Sequence, residues 1–157
     1  MGKHIVAVDL SSGQERPTFT MPEAGNAWFR LTCDGRTFVI HRQDPKTNTI
    51  HFYRLNIDGT GYREIYAVAQ REFRDGFALT KDGRWLVLAK RSNGEKGWQL
   101  VRVPIDGGAP ESTGVELDEA LFDGNIDLSP DGSRIAVTTS KSISELWALD
   151  NVLSLLK

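Results

Sequence analysis

The chain has 157 residues, the length of one ordinary domain and enough to bury a hydrophobic core. Its 19 basic and 21 acidic residues are interspersed and give a net charge of −2, which argues against a dedicated nucleic-acid-binding face and against a polybasic membrane patch. Cys33 is the sole cysteine, so an internal disulfide and a multi-cysteine zinc site are both excluded.

The N-terminal segment contains an apolar run of only four residues, Ile5 to Val8. Because this run is too short for the apolar region of a signal peptide or for a membrane span, we expect neither in this chain, and the compartment stays open. The sequence "IVAVDLSSGQ" (5–14) predicts a strand that enters a Gly-bearing turn, and residues 4–20 predict a hairpin.

A second kind of hairpin occurs three times along the chain, and its three copies align with one another without gaps. Its copies are "FRLTCDGRTFVI" (29–40), "FALTKDGRWLVL" (77–88) and "IDLSPDGSRIAV" (126–137). The Asp-Gly pairs begin at 34, 82 and 131, so the spacings are 48 and 49 residues. An Asp-Gly pair between two apolar runs is typical of a hairpin turn, since Gly adopts positive φ without strain.

The Gly-bearing turn of the N-terminal segment also recurs, out of phase with the first motif. It returns as "FYRLNIDGTG" (52–61) and "LVRVPIDGGA" (100–109), and "ELWALDNVLS" aligns with it but lacks the Gly turn. Each repeat therefore holds four short strands. In the middle repeat they are predicted at 74–80, 84–91, 98–105 and 110–116.

Four short antiparallel strands at a period in the forties are typical of a β-propeller blade, so we predict an all-β fold with about 3 to 3.5 blades. A β-sandwich is disfavoured because it has no reason to repeat its turn chemistry at a fixed spacing. We expect one propeller segment over 1–157, made of the outer strands of a blade (4–20), two blades (26–68 and 74–116), a partial blade (124–150) and a tail (151–157). Residues 144–157 fit either a strand followed by a short helix or a helix throughout.

These motifs resemble the WD-like repeats of TolB-type β-propellers. The resemblance is carried by "LSPDGSRIAV" (128–137) with "ELWALDN" after it, and by "FYRLNIDGTGYREI" (52–65). Repeats of that family typically have Ser-Pro-Asp-Gly between the first two strands. Only the third copy here has it, while the others keep the Asp-Gly pair that the turn geometry needs. The resemblance implies a propeller over essentially the whole chain and would allow a periplasmic location.

The number of repeats is too small to close a propeller, because such rings have typically four to eight blades. We therefore expect this chain to be part of a ring of about six or seven blades. Either it belongs to a longer propeller, or copies of it assemble. In the second case residues 124–140 of one copy supply the two inner strands of a blade, and the N-terminal hairpin (4–20) of another copy supplies the two outer strands. Two copies related by a two-fold axis then form a homodimeric ring of six blades. "ELWALD" aligns as a third strand and would compete with that hairpin.

No catalytic or metal-binding motif is complete in this sequence. His4, His41 and His51 lack a paired ligand spacing and are interpreted as surface or interblade residues. Residues 123–127 ("DGNID") resemble the start of a calcium loop, but the later positions of an EF-hand do not match. With no GxSxG elbow and no phosphate loop, we expect no enzyme activity, cofactor or metal. The tryptophans are interpreted as packing between blades, although Trp28 lies at a strand entry.

Polar residues at equivalent places just before and along the predicted innermost strands form the candidate ligand site. These strands line the channel of a propeller, and mixed polar groups at its mouth suit a small polar ligand or a peptide terminus. The candidates are Asn26, Arg30, Arg74, Asp75, Asp123, Asn125 and Asp127. Simple solvation or mutual pairing of these residues is the competing interpretation.

Two functions are consistent with these observations. The first is a non-catalytic module that binds a protein, a peptide or a small polar ligand, with its ring closed by self-association or by the rest of a parent chain. The alternative is a sensor or accessory propeller of a larger enzyme or receptor, of the peptidase or TolB type. We expect neither a nucleic-acid nor a membrane partner.

Overall fold

The computed structural model describes residues 4–22, 26–91, 97–117, 122–129 and 131–139, with the backbone only at positions 75, 122, 123 and 139. Apart from a 3-10 turn at Gln70–Glu72, all regular structure in these ranges is β-strand. The strands are β1 (His4–Val8), β2 (Glu15–Thr20), β3 (Ala27–Leu31), β4 (Thr37–Asp44), β5 (Thr49–Asn56), β6 (Arg63–Ala69), β7 (Phe73–Leu79), β8 (Trp85–Lys90), β9 (Trp98–Pro104), β10 (Glu111–Leu117), β11 (Phe122–Leu128) and β12 (Ile135–Thr139).

Within the described ranges the strands form antiparallel sheets that follow the chain order. Strands β3 to β6 form one four-stranded sheet, blade 1, and β7 to β10 form another, blade 2. The remaining strands pair as the N-terminal hairpin, β1–β2, and the β11–β12 hairpin. The prediction of an all-β fold with four-stranded antiparallel blades is confirmed. The strands of blade 2 begin and end within one residue of their predicted bounds.

The repeated [Thr/Ser]-x-Asp-Gly motif is a hydrogen-bonded turn between the first two strands of each unit. In blade 1 the hydroxyl of Thr32 donates to Oδ1 of Asp34 (2.6 Å) and accepts from the backbone N–H five residues on (3.0 Å), while Gly35 has a φ of 69°. The same bonds recur at Thr80 and at Ser129. Two of the three turns lack proline. The hydroxyl and the Asp-Gly pair therefore set the geometry.

Apolar side chains on both faces of the blades pack against the neighbouring sheets. The N-terminal hairpin covers β4 and β5 of blade 1 through Ile5 and the adjoining Met21. The β11–β12 hairpin covers blade 2 through Ile126. The buried side chains between blade 1 and blade 2 are Val39, Ile50, Phe52, Ile65, Val68, Phe73, Phe77, Leu86, Leu88, Val101, Val103 and Ile105. Successive sheets are thus stacked face to face.

Some sequence-based expectations fall on parts of the chain that the structure leaves undescribed. The choice between strand and helix for residues 144–157 lies outside the described residues, as does Pro130 of the third turn. The division of the chain into the predicted propeller parts stays a prediction. In the part that is described, no helix is both long enough and apolar enough to cross a membrane.

Acid should weaken the repeated turns, because their aspartates accept hydrogen bonds in the folded chain. The hydroxyl of Ser129 is the main cause that lowers the pKa of Asp131 from 3.8 to about 2, and the hydroxyl of Thr80 likewise lowers the pKa of Asp82. Since the folded pKa lies below the unfolded one, this stabilisation is complete above the unfolded pKa and is lost as the pH falls through the folded pKa. Denaturant unfolding between about pH 5 and about pH 2 measures the loss.

The D82N variant removes one titrating carboxylate, so its free energy of unfolding should fall less steeply over that pH interval than that of the wild type. D34N repeats the test in the equivalent turn of blade 1. If the free energy of unfolding of both variants falls with decreasing pH as steeply as that of the wild type, the turn aspartates are not the source of the acid sensitivity.

Candidate functional site

A cleft of about 520 Å³ opens between blade 1 and blade 2 beside their innermost strands, β3 and β7. Its walls also include parts of β4, β5, the 3-10 turn and β11. The lining residues are Trp28, Phe29, Arg30, His41, Gln43, Ile50, Gln70, Gly76, Phe77 and Asn125. The cleft therefore draws on three successive units of the repeat.

Large side chains on β3 hold this cleft open. Trp28 faces blade 2 and stacks on His41, with ring centroids 5.2 Å apart. Two residues on, the guanidinium carbon of Arg30 lies 5.5 Å from the centroid of the Phe77 ring across the interface. Because successive side chains of a strand point to opposite faces, Trp28 and Arg30 share the face toward blade 2.

The next interface, between blade 2 and β11, is closed because the equivalent residues are small. A Cβ built on Gly76 would lie 1.8 Å from the carbonyl oxygen of Gly124, so the two backbones are in direct contact. Ala78 is 1% exposed and packs in one cluster with Ile126. The size of two side chains on the innermost strand thus decides whether neighbouring blades touch or leave a cleft.

A row of aromatic rings forms one wall of the cleft. The strand register places Trp28 opposite His41 and His41 opposite Phe52. The His41 ring is therefore stacked between the other two, at centroid distances of 5.2 and 5.5 Å, and it is 6% exposed. Trp28 at the end of the row remains 54% exposed. His41 lies inside β4 and contacts Phe73 and Phe77 of blade 2, so its interpretation as an interblade residue is confirmed.

The polar groups of the cleft are one cation and several amides. Arg30 is exposed and is the one residue with a fixed charge among the described lining residues. At the other end, Nε2 of Gln43 donates to Oε1 of Gln70 (2.7 Å), which links β4 to the 3-10 turn. Asn125 reaches the cleft from β11 and is exposed. The described lining residues therefore combine one positive charge, several amides and the exposed ring of Trp28.

The strongly perturbed carboxyl groups of the described residues lie in turns rather than in this cleft. Hydrogen bonds lower the pKa of each, mainly from a Ser or Thr hydroxyl, except at Asp44, where the backbone N–H of Lys46 is the main cause. The affected residues are Asp9, Asp34, Asp44, Asp58, Asp82 and Asp131. Their perturbation is a property of turn geometry.

Of the residues predicted from the sequence, Arg30 and Asn125 line the cleft together. Asn26 precedes β3 and is exposed. Asp127 is exposed on β11, where its Oδ1 accepts the backbone N–H of Leu128 at 2.9 Å. Arg74 is exposed within β7.

The strands β7 and β11 begin earlier than the sequence indicated. Asp123 consequently lies inside β11 rather than before it, while Arg74 and Asp75 lie inside β7, within the range predicted for that strand. The side chains of Asp75 and Asp123 lie outside the described residues. Whether they belong to the candidate site stays a prediction.

Sequence reasoning missed Phe77, Gln43 and Gln70 as cleft residues. The usable signal was the mismatch in size at two aligned positions, where Trp28 and Arg30 replace Gly76 and Ala78. The other two histidines lie on β1 and on β5, the third strand of blade 1. His4 bonds to Thr20 (3.0 Å) and His51 to Glu64 (2.8 Å) through Nδ1. Within the described ranges no three His, Cys, Asp or Glu side chains are grouped to hold a metal ion.

No protein-family model matches this chain, and no curated protein matches it significantly. Solved structures do match. TolB from Acinetobacter baumannii gives a TM-score of 0.58 at 20% identity over 84% of this chain and 31% of that one. The β-propeller domain of the Trilobed protease from Pyrococcus furiosus gives 0.52 at 15% identity over 74% and 35%. The Cps50 (Swd1) β-propeller domain from Myceliophteria thermophila gives 0.53 at 16% identity over 85% and 43%.

These matches confirm the fold that the repeats predicted. The described strands have the fold of part of a β-propeller, similar to the folds of TolB and of the Cps50 (Swd1) domain. The chain spans between 31% and 43% of the length of the three matched chains. At these levels of identity the similarity concerns the fold.

The close approach of blade 2 and β11 predicts that G76A is strongly destabilising. The added methyl group meets a backbone oxygen that cannot move aside, so we expect a loss of about 2 kcal/mol or more in the free energy of unfolding. N125A changes the equivalent, exposed position of β11 and should stay within about 0.5 kcal/mol of the wild type. Equal stabilities of the two variants in urea unfolding would show that the interface is not closed.

Proposed function

We propose that this propeller segment is a non-catalytic binding module whose ring is completed by a second copy of the chain. Each copy contributes two complete blades and the two halves of a third. Two copies related by a two-fold axis then give about six blades, within the usual range of closed propellers. The channel-facing residues and the cleft between blades 1 and 2 are the surfaces on which such a module binds its partner.

The exposure of one repeated position carries this proposal. Phe29, Phe77 and Ile126 are equivalent residues of three successive units, and they are 53%, 4% and 3% exposed. Phe77 is covered by blade 1, and Ile126 packs on blade 2. The register places Phe29 opposite Ile40, on the face toward the N-terminal hairpin, although part of Phe29 also borders the cleft. That hairpin packs on β4 and β5 and leaves β3 largely uncovered. Leu31 on the same face is 44% exposed.

A second repeated position also lacks a covering sheet at the other end of the described stack. Val39, Val87 and Ala136 are equivalent residues that face the following unit. Val39 is fully buried in the cluster that joins blade 1 to blade 2, and Val87 is 7% exposed. Ala136 on β12 is exposed. Exposed apolar surface at both ends of the described stack fits a ring that continues beyond it.

The two hairpins are complementary halves of one blade. The strand β1 aligns with the third strands β5 and β9, whereas β11 and β12 carry the turn motif of the first two strands. If β12 of one copy pairs with β1 of another, four strands are completed and Ala136 comes to face the uncovered side of β3. Residues 145–150 ("ELWALD") align with the same third strand and would compete for this pairing.

The absence of catalysis is proposed from the position of the reactive groups. The perturbed carboxyl groups of the described residues lie in turns, where hydroxyl and backbone groups satisfy them. The serines that contact Asp9 do so within such a turn. A catalytic site would instead gather perturbed groups in a cleft.

The alternative is a sensor or accessory propeller within a larger enzyme or receptor, in which the parent chain closes the ring. One observation favours it: the chain spans only 31% to 43% of the matched proteins. One of those matches is itself the β-propeller domain of a Trilobed protease. In this case the exposed face of β3 is covered by other parts of the parent protein.

Sedimentation equilibrium separates the two forms of closure. We expect the purified chain to behave as a dimer of twice 17.5 kDa, and F29E to behave as a folded monomer because it places a charge on the face that the second copy covers. L10E is the matched control, since Leu10 is 98% exposed in a turn, and it should remain a dimer. A folded wild-type monomer would contradict closure by self-association and favour the parent-chain alternative.

A further inference from the structure

The side chains that open the cleft between blades 1 and 2 are not those that packing requires. At the closed interface the same two positions hold Gly76 and Ala78, and the sheets meet directly. In blade 1 they hold Trp28 and Arg30, so the indole is left 54% exposed beside a cavity. Small residues at these positions would let the two sheets bury more apolar surface, whereas the large ring of Trp28 stays exposed. This departure from the repeat points to a ligand.

Arg30 is presented to the cleft with its hydrogen-bonding edge available. Its guanidinium carbon lies over the Phe77 ring, 5.5 Å from the centroid, and this cation–π contact does not use the N–H donors of the group. Arg54 and Arg102 are paired with carboxylates, whereas no described carboxylate forms an ion pair with Arg30. A planar cation held in this way is suited to accept a carboxylate through two parallel hydrogen bonds.

The amides at the other end of the cleft provide one acceptor and one donor. The bond from Gln43 to Gln70 uses the amino group of the first residue and the carbonyl oxygen of the second. The carbonyl oxygen of Gln43 and the amino group of Gln70 remain for a ligand. Such a pair matches the N–H and C=O of an amide group.

We infer that this cleft binds a carboxylate carried next to an aromatic ring. The carboxylate bonds to the guanidinium of Arg30, the ring packs on the indole of Trp28, and an adjoining amide reaches Gln43 and Gln70. A cavity of about 520 Å³ is within the size range of small-molecule sites. The inference rests on the proposed function and names the ligand class of the binding module.

Isothermal titration calorimetry with four small probes tests the ligand class. N-acetylphenylalanine carries the carboxylate, the ring and an amide, and it should bind saturably. N-acetylphenylalaninamide lacks the carboxylate and N-acetylalanine lacks the ring, so each should bind at least tenfold more weakly. Phenylacetate lacks the amide: weaker binding than N-acetylphenylalanine indicates the C-terminus of a peptide as the source, and equal binding indicates a free aromatic acid. Equal binding of the acid and its amide would overturn the inference, as would no binding at millimolar concentration.

Two matched variants connect the binding to Arg30. R30Q should weaken the binding of N-acetylphenylalanine by about tenfold or more, because the charge-assisted hydrogen bonds are lost. R36Q removes the same charge from an exposed position in the turn between β3 and β4 and should leave the affinity unchanged. If R30Q and R36Q weaken the binding equally, the ligand is attracted by the net charge of the protein alone, and the assignment of the site to Arg30 is overturned.

The oligomeric state of the same samples distinguishes a failure of ligand binding in the cleft from a failure of ring closure by a second copy. If the wild type is a dimer and N-acetylphenylalanine does not bind, the cleft inference fails while closure by a second copy stands. If it binds to a folded monomer with the expected loss in R30Q, the cleft inference stands while closure by a second copy fails.

Discussion

Each complete blade of this protein carries apolar side chains on both faces, and such a sheet is stable only when another sheet covers each face. The strand β4 shows this constraint directly, because the consecutive residues Phe38, Val39 and Ile40 are all 7% exposed or less. Neighbouring residues of a strand point to opposite faces, so both sides of blade 1 must be covered. The stacking of the sheets in chain order satisfies this need within the molecule. Within the described ranges, Phe29 at one end of the stack and Ala136 at the other remain exposed.

The spacing between stacked blades is set by the side chains of the innermost strand. Where these are as small as Gly76 and Ala78, the backbones touch and the interface is closed. Where they are as large as Trp28 and Arg30, the blades part and a cleft forms beside the channel. The repeat thus supplies a constant framework, since the Asp-Gly turn recurs in three units and blades 1 and 2 have the same strand order. A local change of residue size at one interface then creates a candidate site without altering the fold.

The sequence was sufficient for the fold because the fold is determined by local, repeated signals. The Asp-Gly turns at 34, 82 and 131 recur at a fixed spacing, and the strands between them follow from short apolar runs. The candidate site was only partly predictable. Arg30 and Asn125 were selected as channel residues, but Phe77 and Gln70 join them across an interface between different repeats. An alignment of repeats shows which residues are equivalent, and it does not show which side chains of successive blades come into contact.

Closure of the ring requires that strands outside the described stack complete the sheet at β1. Residue-resolved amide hydrogen exchange tests it most directly, on those N–H groups of His4–Val8 that β2 does not bond. The account predicts that these amides exchange about as slowly as those of the central strand β8, and that dilution toward the monomer speeds their exchange while β8 stays protected. Exchange of the β1 amides at the rate of an unprotected edge, at every protein concentration, would contradict the account.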